Sequence, residues 1–83
     1  MVRFKLSLAD MAEGQACTIR GIDVSTPLAE RLLELGFVPG TPVKAIGHAP
    51  LGDPTTFLIR GYRIGLRRSE AALIDVEPNL LDE

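Results

Sequence analysis

Cys17 and His48 are the only cysteine and the only histidine in this 83-residue chain. They are the side chains best suited to nucleophilic or metal-binding chemistry at neutral pH. A thiolate and an imidazole within hydrogen-bond reach would form a nucleophile and its base. No local motif brings the two together. Cys17 occupies an alternate position of a strand-like stretch, where a cysteine behaves as a small core hydrophobe. His48 ends a second strand-like stretch, before a turn-rich segment that leaves its ring in solvent. A zinc site takes three or four closely spaced Cys, His or carboxylate ligands. His48 and Asp53 would supply two, a weak Fe(II) or Zn(II) site at most, to be completed by another chain. Gly36, Gly40, Gly47 and Gly52 are scattered turn residues, not a phosphate-cradling loop before a helix. These residues give no catalytic constellation and require no cofactor, so the sequence reads as a binding protein and not an enzyme.

Charge narrows the partners. Nine basic and eleven acidic residues leave a net charge of −2, a poor match to a phosphate backbone, so nucleic acid is not an expected partner. Arg60, Arg63, Arg67 and Arg68 form a local basic strip, with Arg63 and Arg67 on one strand face. Such a strip serves as a solvated barrel face, or as a dock for an acidic surface or a phosphate. A lone cysteine excludes an internal disulfide and suits a reducing compartment. The N-terminus, Met1 to Leu6, lacks the apolar run of a secretion signal. No segment approaches the ~18 apolar residues of a membrane span. The expected location is the cytoplasm, with any membrane role exerted through a partner.

The elements that must position these residues are short. Eight Gly and six Pro break the chain into frequent turns. Leu6 to Gly14 reads as a short turn of helix. Ala16 to Val24 reads as a strand with Cys17 and Ile19 on one face, and Gly21 marks a bulge or bend. Thr26-Pro27 opens the one clear helix, Pro27 to Leu35, with Thr26 as cap and Pro27 at the first helical position. Leu28, Leu32 and Leu35 follow the i, i+4, i+7 spacing of an apolar stripe, widened by Leu33. Gly36 sits where a left-handed C-terminal cap belongs. Val43 to His48, Thr55 to Arg60, Arg63 to Arg67 and Leu73 to Val76 are the remaining strands. A type II′ turn at Gly61-Tyr62 joins the third and fourth, and a helical turn at Ser69 to Ala72 precedes the last. Five short strands with one inserted helix predict a mainly β fold, a small closed or nearly closed barrel, because closure removes unpaired edges. One domain over residues 1–78 and an acidic, frayed tail over 79–83 complete the organisation.

The apolar content exceeds what the surface of so small a barrel requires. Leu32, Leu35, Phe37 and the loop residue Leu51 mark a cleft or face where a partner would dock. Together with Gly52, Asp53 and Pro54 they form the expected partner-binding set.

The stretch Arg31 to Thr41, containing Leu35-Gly36-Phe37-Val38-Pro39-Gly40, together with the turn Ala49-Pro50-Leu51-Gly52-Asp53-Pro54, resembles the ferrous-iron transport protein A (FeoA) family. The hairpin Arg60 to Arg67, the following Glu70-Ala71 and the opening Leu6 to Met11 with Gly14 extend the resemblance to roughly Leu6–Val76. The resemblance implies an SH3-like β-barrel. It also implies a small cytosolic accessory of the FeoB-type ferrous iron permease, a membrane protein with a cytosolic G domain, acting by protein–protein regulation. It transfers no metal ligands. Two alternatives stand beside it: a stand-alone SH3-like regulatory domain like that of metal-dependent transcription repressors, and a weak metal-binding carrier; weak homo-oligomerisation is a further partner expectation.

Overall fold

The computed structural model describes residues 6–78; the expected tail over 79–83 and the residues that open the N-terminal reading lie outside that range. Six strands form one antiparallel sheet: β1 (Leu6–Ser7), β2 (Ala16–Ile22), β3 (Pro42–His48), β4 (Thr55–Ile59), β5 (Tyr62–Leu66) and β6 (Ile74–Pro78). Their order across the sheet is β1-β6-β2-β3-β4-β5. Two helices interrupt them, α1 (Leu28–Glu34) between β2 and β3, and α2 (Arg68–Ala71) between β5 and β6.

Alternation along the strands decides which face is core. Cys17 and Ile19 on β2, Val43 and Ala45 on β3, Phe57 and Ile59 on β4, and Ile74 and Val76 on β6 all point inward and are buried. Register aligns them: Ala45 lies opposite Phe57, which lies opposite Ile64. Leu8 and Met11 near the start of the sheet, Leu32 of α1 and Phe37 after it belong to the same core. Full burial of each large apolar side chain contributes roughly 1.5–3 kcal/mol, so the few fully buried residues carry most of the fold. The sheet bends at two register shifts, at Ile19/Gly21 and Ala45/Gly47. The bulge expected at Gly21 is one of them. The result is mainly β, as strand length and spacing suggested, and SH3-like, as the family resemblance implied; among the described residues the sheet runs from β1 to β5 without a pairing that closes it.

Three local expectations are corrected. The opening segment is not one helical turn. Leu6 and Ser7 pair with Val76 and Asp75 as β1, and only Leu8–Asp10 turn, as a 3-10 helix, so the sheet has six strands and not five. The cause is a reciprocal cap: Ser7 Oγ accepts the Ala9 N–H at 3.1 Å, and Asp10 Oδ2 accepts the Ser7 N–H at 2.9 Å. The β4–β5 turn is not type II′ at Gly61-Tyr62. It is centred one residue earlier, with φ +52 at Arg60 and +82 at Gly61, the two positive angles of a type I′ turn. That turn matches the right-handed twist of the strands it joins. Finally, β2 ends at Ile22. Beyond it, Asp23 Oδ1 accepts both the Ser25 N–H (3.0 Å) and the Ser25 hydroxyl (2.6 Å), turning the chain toward α1.

Candidate functional site

The residues singled out for partner binding fall in two segments, the C-terminal turn of α1 and the β3–β4 loop. Each is built by local hydrogen bonding.

At the start of α1, Thr26 Oγ1 accepts the Leu28 N–H at 3.3 Å and the Thr26 carbonyl accepts the Ala29 N–H at 3.1 Å, so Thr26 supplies bonds to the first turn, while Pro27 occupies the N-cap position, one residue before the first helical position expected for it. At its end, the Gly36 N–H donates to the Leu33 carbonyl (3.0 Å) and the Phe37 N–H to the Leu32 carbonyl (3.1 Å). That pair of bonds, with Gly36 at φ +115, is a Schellman motif. Its usual hydrophobic contact is present, because Leu32 and Phe37 share the core. The following Val38-Pro39-Gly40-Thr41 turn is closed by the Thr41 N–H on the Val38 carbonyl (3.2 Å). It is fastened to β2 by the Gly40 N–H on Ile19 (2.8 Å) and by the Ile19 N–H on Thr41 (3.0 Å). The stripe thus divides. Leu32 at 3% exposure and Phe37 at 0% are core, while Leu35 at 42% faces solvent.

The second segment is a closed loop. Its base is the Ala49 N–H on the Pro54 carbonyl (2.9 Å), and its tip is tightened by the Gly52 N–H on the Ala49 carbonyl (2.7 Å). Asp53 and Pro54 are joined by a cis peptide bond. Asp53 Oδ1 accepts the Arg68 N–H at 2.8 Å, tying the loop to the first turn of α2, where Glu70 Oε1 also accepts the Arg67 N–H at 2.8 Å. Leu51 projects from this braced loop with 96% of its surface in water, and Gly52 and Pro54 are exposed beside it.

The two segments stand at opposite ends of the β4–β5 hairpin. Gly36 lies against the turn end, where a Cβ on it would come 3.6 Å from Arg60 Cδ. Arg60 also reaches Thr41 Oγ1 with Nη2 at 3.5 Å. The loop instead meets the far end, through Asp53 and Arg68. Four strand steps separate these ends, roughly 13 Å. The sequence placed Leu35 and Leu51 in one set; the structure presents them as separate apolar points on one body.

The chemistry-bearing side chains are equally dispersed. Cys17 is fully buried, and burial pushes its thiol up to about 11, away from the thiolate that a nucleophile or ligand requires. His48 Nδ1 lies 2.7 Å from Thr55 Oγ1, across the β3–β4 pair. Asp53 is engaged by Arg68. Among the described residues no three His, Cys, Asp or Glu side chains gather where they could hold a metal ion. Among the same residues, no helix is long and apolar enough to cross a membrane.

Comparison with known proteins gives this geometry a lineage. The chain is 35% identical over 72 residues to the Fe(2+) transport protein A/Fe(2+) transporter FeoB fusion protein of Porphyromonas gingivalis. That match covers 87% of the chain but only 8% of the fusion protein. Among solved structures, the FeoA-like protein of Clostridium acetobutylicum superposes with a TM-score of 0.87 at 32% identity, covering 95% of this chain and 92% of that one. The zinc-complexed FeoA of Stenotrophomonas maltophilia, described as a prokaryotic SH3 domain protein, gives 0.78 at 28% identity, with 87% and 89% covered. The FeoA domain model matches residues 6–78, from the first residue of β1 to the last of β6, and the chain therefore belongs to the FeoA family.

Proposed function

We propose that this chain is an accessory protein of ferrous iron uptake that acts by binding the cytosolic part of a FeoB-type permease. Leu51 carries the proposal on the structural side. A single exposed leucine is common on a protein surface; what distinguishes Leu51, with 96% of its surface in water, is that the loop displaying it is braced by three hydrogen bonds. An apolar side chain on a rigid support loses little conformational entropy on docking. Leu35, at the other end of the hairpin, is the second contact point, while Gly52 and Pro54 complete the loop's surface. Leu32 and Phe37 hold the α1 turn in place from the core, and Asp53 holds the loop. The Porphyromonas gingivalis relative, in which the homologous segment is joined covalently to the iron transporter, supports the identity of the partner.

The test is titration calorimetry of the purified chain against the permease's isolated cytosolic domain. Leu51→Ser and Leu35→Ser leave the unfolding midpoint near its wild-type value, and Leu51→Ser weakens binding about tenfold or more, the effect of ~1.4 kcal/mol. Wild-type affinity in both folded variants would show that these residues are not the contact.

A further inference from the structure

Among the described residues the β5 edge of the sheet is open, and it is charged. Within them β5 pairs with β4 alone, and the order of strands ends on it. A two-residue turn makes Ile59 and Tyr62 a hydrogen-bonded pair, so the ladder next bonds Phe57 with Ile64 and Thr55 with Leu66. The intervening residues, Arg63 and Gly65, therefore direct both their N–H and C=O groups away from β4. No turn, loop or cap among the described residues takes up these four groups. Both residues are exposed, and a Cβ on Gly65 would meet nothing within 4 Å. Unpaired groups in this arrangement are a template for one more strand.

The charge beside the edge selects which strand. Residues 60–68 contain four of the chain's nine basic residues and no acidic one, although the whole chain is net negative; the Glu70 and Asp53 carboxylates sit on the N–H groups of Arg67 and Arg68, so Arg63, beside the open groups, carries the unopposed charge. Arg63, Arg67 and Arg68 extend exposed side chains, and none forms an ion pair with another described residue. Pairing β5 with β5 of a second copy would bring eight of these arginines together along one seam, so the edge repels its own kind. An acidic segment is attracted by the same field. The outer sheet face next to the edge is a shallow depression lined by Ile46, Gly47, Thr56, Leu58 and Arg63. A residue opposite Arg63 would lie beside the guanidinium, and an apolar residue opposite Gly65 would fill the space that glycine leaves.

We propose that the β5 edge of this domain binds an extended acidic segment of a partner protein by strand addition, with the backbone of Arg63 and Gly65 pairing and Arg63, Arg67 and Arg68 reading the charge. This site uses the edge backbone of β5 and not the side chains of Leu35 and Leu51, although Arg68 adjoins the Leu51 loop through Asp53; substitutions at Leu35 and Leu51 leave its pairing groups in place, so the two proposals are tested separately.

The probe is the capped pentapeptide acetyl-Asp-Val-Glu-Val-Asp-amide, added to the full ¹⁵N-labelled chain. The amides of Arg63 to Leu66 are expected to shift, those of Arg63 and Gly65 to exchange more slowly with solvent, and affinity to fall as salt rises. Proline suits an edge position whose N–H faces solvent, so Gly65→Pro should keep the fold while removing one pairing donor, weakening binding about tenfold or more. Arg63→Glu, a surface change, should abolish capture of the acidic peptide and permit that of its lysine counterpart. The proposal is overturned if the peptide leaves the β5 amides unmoved, if Gly65→Pro and Arg63→Glu both bind as the wild type does, or if the same amides shift with chain concentration alone, the mark of a second copy on the edge.

Discussion

Replacing Gly36 by alanine isolates a backbone effect at the point where α1, the core and the Leu35 contact meet. An added methyl would sit 3.6 Å from Arg60 Cδ and 3.9 Å from Ile59 Cδ1, ordinary contact distances, so crowding contributes little. What remains is φ +115. A residue with a Cβ loses about 1–2 kcal/mol in the left-handed region, and this angle lies well beyond that region's optimum near +57°. The loss should therefore reach the upper end, about 2 kcal/mol. A domain of this size has roughly 4–12 kcal/mol of stability in total, and 2 kcal/mol lowers its Tm by about 8–16 °C. Urea unfolding followed by far-UV circular dichroism reads the change, since the chain has no tryptophan to report by fluorescence. The m-value should stay constant, because the surface exposed on unfolding is the same. Gly65→Ala is the companion measurement. Its φ is ordinary and its surroundings are open, so restricting the unfolded chain should stabilise by about 0.4–1 kcal/mol. A loss below about 0.5 kcal/mol for Gly36→Ala, or an equal loss for both variants, would refute the assignment of the cost to φ.

Burial raises the Cys17 thiol to about 11, so the unfolded chain ionises first as pH rises above about 9, and stability should decline between those values; Cys17→Ala, measured by urea unfolding across pH 8–11, should flatten that decline. The same burial predicts that a thiol reagent labels Cys17 at neutral pH only as fast as the domain opens, which a comparison with and without urea would check. Phe57→Ala removes a fully buried ring at the centre of the β3–β4–β5 face and should cost about 3–5 kcal/mol, much of the domain's stability, seen as a large fall in the urea midpoint. Asp53→Ala frees the Arg68 N–H and should cost about 0.5–1.5 kcal/mol, with faster hydrogen exchange confined to the β3–β4 loop and α2.

Much of the fold was legible because its signals are local. Thr26-Pro27, the leucine spacing and Gly36 locate α1 within a dozen residues, and Gly36 caps its end as its chemistry suggested. The inward alternation of Cys17 and Ile19 was equally readable. β1 was not, since two residues are too few to show a period, although Ser7 and Asp10 held the capping signal that ends it. The β4–β5 turn was misplaced by one residue because arginine is an uncommon choice for a positive φ. Arg60 is held there alongside contacts with Gly36 and Thr41, which lie distant in sequence. The candidate surface was legible as residues but not as geometry. Spacing put Leu32 and Leu35 on one stripe and could not tell which of them the barrel would cover. Nothing local reveals that Leu35 and Leu51 end up at the two ends of one hairpin.

That separation bears on how firmly such a small protein can hold its partner. In the proposed binding mode two single-leucine contacts are each weak, but they ride on one stiff body, so engagement of the first would present the second at a fixed distance and a high effective concentration. Their contributions then multiply in the binding constant only when the partner's own pockets match that span. A partner whose pockets move apart or together would grip and release the domain steeply, giving a device of this size a means of reporting the partner's shape as well as its presence.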